Sequence, residues 1–115
     1  MIQELVKVQA GSYYYTSWGY DQTNIDYLVV VKVSSSGKTA RCRMVSPISL
    51  GIQGVEEMLT PGTPYGELFN MQVRPNGNLR GSYPYCQGLP DKRLGTFLPT
   101  KLGEVRGQTL PQFGH

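Results

Sequence analysis

From Ile25 to Val33 the chain runs through β-branched and aromatic residues broken only by Asp26 and Lys32. That composition predicts a strand with neighbours on both sides. From Thr39 to Val45 the side chains alternate, with Thr39, Arg41, Arg43 and Val45 on one face and Ala40, Cys42 and Met44 on the other. Ser34-Ser35-Ser36-Gly37 between them carries turn residues, so the two segments predict a β-hairpin. Upstream, Gly11-Ser12 break an apolar patch, and Tyr13-Tyr14-Tyr15 then read as a further strand because rings pack well on a pleated surface. Trp18 to Asn24, with Gly19 and Asn24 supplying turn chemistry, reads as a loop.

The pattern changes at Pro47. Gly51, Gly54, Pro61, Gly62, Pro64 and Gly66 leave little room for regular structure beyond one turn of helix at Val55–Leu59. Leu68–Val73 reads as a strand, and Pro75-Asn76-Gly77 as a tight turn into Asn78-Leu79-Arg80. Short strands are expected near Thr96–Leu98 and Glu104–Arg106, and Thr109 to His115 as a loose tail. Short strands joined by Gly/Pro turns, with no long amphipathic helix, predict one all-β domain over residues 1–115. Its form is a small antiparallel sheet or a partly open SH3-like β-barrel with long Gly/Pro-rich loops.

Composition narrows the function. Charged residues make up only 17% of the 115 positions, which argues against charge-driven disorder. A formal net charge of +3 suits a phosphate-bearing partner. The longest basic run is only Lys92-Arg93, which disfavours a general duplex binder. With one histidine, His115, and two cysteines, Cys42 and Cys86, no zinc site can be assembled. The cysteines read as reduced thiols, with a long-range disulfide as the alternative. Met1–Leu5 lacks the flanks of a signal peptide. The longest apolar run, Leu28–Val31, is far shorter than the about 20 residues of a membrane span. A soluble cytoplasmic protein with no membrane partner is expected. Gly51-Ile52-Gln53-Gly54 lacks the lysine of a phosphate-binding loop, and Ser34–Ser36 have no histidine base within the fold. No enzyme activity, metal or cofactor is therefore expected.

The segment Ser17-Trp18-Gly19-Tyr20-Asp21-Gln22-Thr23-Asn24 resembles a "SWGYDQTN" signature of small uncharacterised proteins of bacteriophages and mobile elements. In those proteins a strand of the "DFYQVV" type follows; here Tyr27-Leu28-Val29-Val30-Val31 stands in its place. The likeness extends to Gly11-Ser12 and to Arg93-Leu94-Gly95-Thr96-Phe97. It implies a phage or prophage origin and the cytoplasm of a host cell, and it carries no catalytic residues.

The candidate ligand-binding residues cluster around this signature. Tyr14, Trp18 and Tyr20 offer rings on which a base can stack, unless those rings fill the core. Asp21, Gln22 and Asn24 offer acceptors and donors to a sugar or base, unless they serve only their own turn. Arg41 and Arg43 share a strand face and suit bidentate phosphate contact, unless they are an ordinary solvated face. Asp21 or Asp26 as an acid/base group is a minor alternative. The residues together predict a non-enzymatic accessory protein that holds a nucleotide or other phosphate-bearing ligand, with sequestration of a signalling nucleotide as a counter-defence version. The alternatives are a single-stranded nucleic-acid binder, and a protein-interaction or virion-associated subunit. Nothing in the sequence sets the oligomeric state.

Overall fold

A computed structural model describes residues 8–18, 24–53, 56–85, 92–100 and 105–107. They form seven strands: β1 (Tyr13–Trp18), β2 (Asn24–Val33), β3 (Thr39–Gln53), β4 (Glu56–Val73), β5 (Leu79–Tyr83), β6 (Arg93–Thr100) and β7 (Val105–Gly107). All pairings are antiparallel. The sheet order is β3-β2-β1-β6-β5-β4-β7, and an additional β3–β4 pairing closes the first six strands into a barrel. The all-β barrel expected from the sequence is thus observed, and it is fully closed. No helix occurs among the described residues.

Alternation explains the core. Tyr14, Leu28, Val30, Ala40, Cys42 and Met44 point inward from β1, β2 and β3 and meet Phe69, Met71, Leu79 and Phe97 from the other three strands. The opposite faces of the same strands are not all wet. Ile25, Tyr27, Val45 and Leu59 form a second buried cluster against which Tyr13, Tyr15 and Val29 pack. Leu59 belongs to the far half of β4, and β2 touches both β4 and β7, so the long β3–β4 arm lies over the outer face of β1 and β2.

That arm corrects the expectation for the Gly/Pro-rich stretch, which was read as irregular with a turn of helix at Val55–Leu59. Glu56–Leu59 is strand, and Pro47 and Pro61 face each other in a β3–β4 ladder running from Thr39↔Gln72 to Gln53↔Glu56. The pairing of β2 with β3 stops at Tyr27↔Val45, and β4 meets β5 only at Gln72 and Val73. Pro47, Pro61 and Pro64 therefore stand where their strand has one described neighbour, and their missing N–H groups leave no gap in a second ladder. Register shifts at Cys42/Met44, Val45/Pro47 and Ser49/Gly51 absorb the remaining mismatch.

The two predicted turns are present. In Ser34–Thr39, the Ser34 N–H donates to Thr39 O at 2.9 Å and the Thr39 N–H donates to Ser34 Oγ at 3.1 Å. In Arg74–Asn78, the Arg74 N–H donates to Asn78 O at 2.8 Å and Gly77 takes φ 89°, a left-handed conformation that glycine adopts without strain. The Val73 N–H donates to Lys38 O at 2.9 Å, so both turns stand side by side at one end of the barrel. The tail from Thr109 to His115 and the loop tip at 19–23 lie outside the described residues.

Candidate phosphate-binding site

The site begins with one extra residue in β2. Val30 pairs with Cys42, but Lys32, two residues on, pairs with Arg41, which is only one residue back along β3. Val31 is the inserted residue of a β-bulge. The insertion resets the alternation: Val33 packs against the barrel core, while Lys32 turns outward to the face that carries Arg41. The two cations thus stand directly opposite each other, both exposed.

Together they line a concavity of about 420 Å³ with Ser34, Ser35, Thr39 and Asn70. Ser34 Oγ is occupied by the Thr39 N–H and lies 3.2 Å from Ser36 Oγ. Ser35 and Asn70 contribute a hydroxyl and an amide at the rim. Among the described residues the lining therefore combines two cations and neutral hydrogen-bonding groups with no carboxylate. Lys32, Ser34 and Ser35 also line a second concavity of about 690 Å³, which runs over the barrel end past Val8 and Val33 to Arg74 and Pro75. Arg74 and Pro75 in turn border a third, of about 340 Å³, with Asn78, Arg80 and Thr96. Arg74 Nη1 donates to Gln72 Oε1 at 3.2 Å, and Arg80 Nη1 to Thr96 Oγ1 at 2.6 Å; each guanidinium keeps further donors to offer.

The residues singled out from the sequence separate on the structure. Tyr14 is corrected: it is 1% exposed, its ring fills the barrel, and its hydroxyl donates to Gly77 O at 3.1 Å. Burial, with a smaller contribution from nearby Cys42, pushes its phenol up from the ordinary value. It offers no face to a ligand. Arg43 shares the outer face with Arg41 as expected, but its Nε donates to Gly66 O at 3.1 Å, where three β4 residues bulge between Tyr65 and Phe69. That contact ties down the bulge. Arg41, not Arg43, is among the residues that line the concavity with Lys32. Trp18 and Asn24 pair with each other at the far end of the β1–β2 ladder. At about 3.3 Å per residue they lie roughly 25 Å along β2 from Lys32, so these two positions are far from Arg41. Tyr20, Asp21 and Gln22 lie outside the described residues.

Asp26, the alternative acid/base group, accepts a 3.0 Å hydrogen bond from the Tyr83 hydroxyl. Burial first, then the charge and hydrogen bond of Asp26, raise the Tyr83 phenol, and Arg93 opposes the shift. Arg93 also lies over the Tyr85 ring at 5.9 Å. This arrangement ties β2 to β5 through a protonated phenol. Cys42 is a free buried thiol, pushed up to about 12 by burial. Among the described residues no group of three His, Cys, Asp or Glu could hold a metal ion, and no helix is long and apolar enough to cross a membrane.

Lys32 is the functional candidate that the sequence did not single out, since strict alternation places it inside the barrel with Leu28 and Val30. Its only signal is a charge at the end of an otherwise apolar run. No protein-family profile, curated protein or solved structure matches the chain.

Proposed function

We propose that the protein is a non-enzymatic binder of a phosphate-bearing ligand, held between Lys32 and Arg41. The observation that carries this reading is the direct cross-strand opposition of two exposed cations in a concavity with no carboxylate among its described lining residues. Like charges so placed repel, and an anion between them converts that repulsion into two charge-assisted contacts. Arg41 can offer a planar fork and Lys32 a point charge, while Ser35 and Asn70 supply donors at the rim. The described lining provides cations and neutral polar groups but no base, which favours holding a ligand over transforming it.

Thermal unfolding with inorganic pyrophosphate, ADP and a short oligonucleotide tests the proposal. Ligand at about 100 times its dissociation constant stabilises the folded state by about 2.7 kcal/mol, a clear rise in Tm. Arg41→Gln and Lys32→Gln should each remove most of that rise. No stabilisation by any of the three at millimolar concentration refutes the reading.

A further inference from the structure

We propose that the phosphate-bearing ligand is a single-stranded nucleic acid whose backbone follows Arg41, Lys32, Arg74 and Arg80 around one end of the barrel. The inference rests on the phosphate site at Lys32 and Arg41 and extends it. A compact ligand would need only the first concavity, yet that concavity adjoins two others. It shares Lys32, Ser34 and Ser35 with the second, which shares Arg74 and Pro75 with the third. A cation stands at each stage of this path, and no carboxylate appears among the described lining residues. Positive charge repeated along adjoining concavities suits a chain of phosphates.

The wall between the cations suits bases. Val8, Val31, Val33, Val73 and Pro75 give the middle concavity an apolar surface against which base faces can pack. Among the described residues no aromatic side chain lines the three concavities, so packing there is on aliphatic side chains and little preference among bases is expected.

Geometry selects a single strand. The path starts on the outer face of β2 and β3, crosses the barrel end between the two turns, and finishes on the outer face of β5 and β6. In the closed order these strand pairs lie on opposite sides of the barrel. A duplex is stiff over about 150 base pairs and cannot wrap a rim this small without a large bending cost, whereas a single strand can.

Fluorescence anisotropy with a labelled oligothymidylate of about 12 nucleotides tests this, a length within the range of single small barrels. The unlabelled duplex of the same length, a polyglutamate of equal charge, and pyrophosphate serve as competitors. The oligothymidylate should bind more tightly than pyrophosphate. Four phosphate contacts predict a log–log salt slope of about −3, a loss of about 50-fold between 50 and 200 mM salt. Arg74→Gln and Arg80→Gln should each reduce the slope by about 0.7 and leave pyrophosphate binding intact. If both variants leave oligonucleotide affinity and slope unchanged while Arg41→Gln abolishes pyrophosphate binding, the ligand is compact; the phosphate site then stands and this extension falls. The extension also falls if the duplex or the polyglutamate competes as well as the single strand. If neither pyrophosphate nor oligonucleotide binds, both proposals fail.

Discussion

Gly95→Ala should destabilise the barrel, whereas Gly81→Ala, its direct cross-strand neighbour, should not. The two glycines pair in the β5–β6 ladder, where they leave a space that Tyr83 and Met71 fill. A Cβ at Gly95 would stand 2.9 Å from Tyr83 Cε1 and 3.6 Å from Cδ1. That ring has nowhere to go. It is 1% exposed, its hydroxyl is tied to Asp26 at 3.0 Å, and it meets Phe97 edge-on at 4.8 Å between centroids. A Cβ at Gly81 meets Met71 Sδ at 3.0 Å and backbone only at 3.5 Å, and a thioether can rotate aside. Overpacking costs about 1–3 kcal/mol, against which replacing a strand glycine by alanine recovers about 0.5–1 kcal/mol. The net expectation is a loss of about 1–2 kcal/mol for Gly95→Ala and about zero for Gly81→Ala. Urea denaturation at constant m-value reads this as a midpoint about 1 M lower for the first variant only. In a Tyr83→Leu background the cost of Gly95→Ala should largely vanish. Equal midpoints for the two alanine variants, or a coupling with Tyr83 below about 0.5 kcal/mol, would refute the argument.

Arg41→Gln should raise the melting temperature of the ligand-free protein at low salt by relieving about 0.2–1 kcal/mol of cross-strand repulsion, and the gain should disappear near 1 M salt, where the Debye length is about 3 Å; a variant that melts lower at low salt would count against the facing of the two cations. Alkali should unfold the protein partly through Cys42: its thiol is raised from 9.0 to about 12, so its stabilising contribution is complete below pH 9 and is lost as pH rises from there toward 12. Cys42 alone then removes about 1.4 kcal/mol per pH unit, and Cys42→Val should flatten that part of a stability-against-pH curve, leaving a steeper fall from about pH 10 where the raised phenols of Tyr14 and Tyr83 begin to contribute.

Where local chemistry decided the outcome, the sequence was a sufficient guide. Alternation from Thr39 to Val45 sorts Ala40, Cys42 and Met44 into the core, and the glycines at 37 and 77 close the two turns. The stretch from Pro47 to Gly66 was opaque because proline's missing N–H matters only if a second strand needs it. Each strand of the long β3–β4 arm has one described neighbour over most of its length, and the composition from Pro47 to Gly66, unlike the apolar run of β2, carries no sign of how many neighbours the strand will have. Tyr14 failed for a related reason. Alternation separates it from Tyr13 and Tyr15, but only the closed barrel determines that its side is the interior. Arg41 and Arg43 looked equivalent along β3, and only the bulge at Gly66 draws Arg43 into a structural bond.

The bulge at Val31 links the fold to the proposed ligand. Continued from Leu28 and Val30, regular alternation would send Lys32 into the barrel and Val33 out to solvent. An unpaired ammonium among Val30, Cys42 and Phe69 would cost several kcal/mol, more than any single packing contact could recover. One inserted residue avoids that cost, because it exchanges the faces of Lys32 and Val33 while the flanking ladder continues on both sides. The consequence is a smaller cost of a different kind, since Lys32 now faces Arg41 across the ladder at a repulsion of a fraction of a kcal/mol in solvent. Removing the repulsion altogether would take only one neutral side chain at either position. With both cations in place, the same geometry that keeps the core apolar leaves a residual repulsion that a bound phosphate would relieve, and the proposed path needs only four of the chain's eleven Lys and Arg residues, Lys32, Arg41, Arg74 and Arg80.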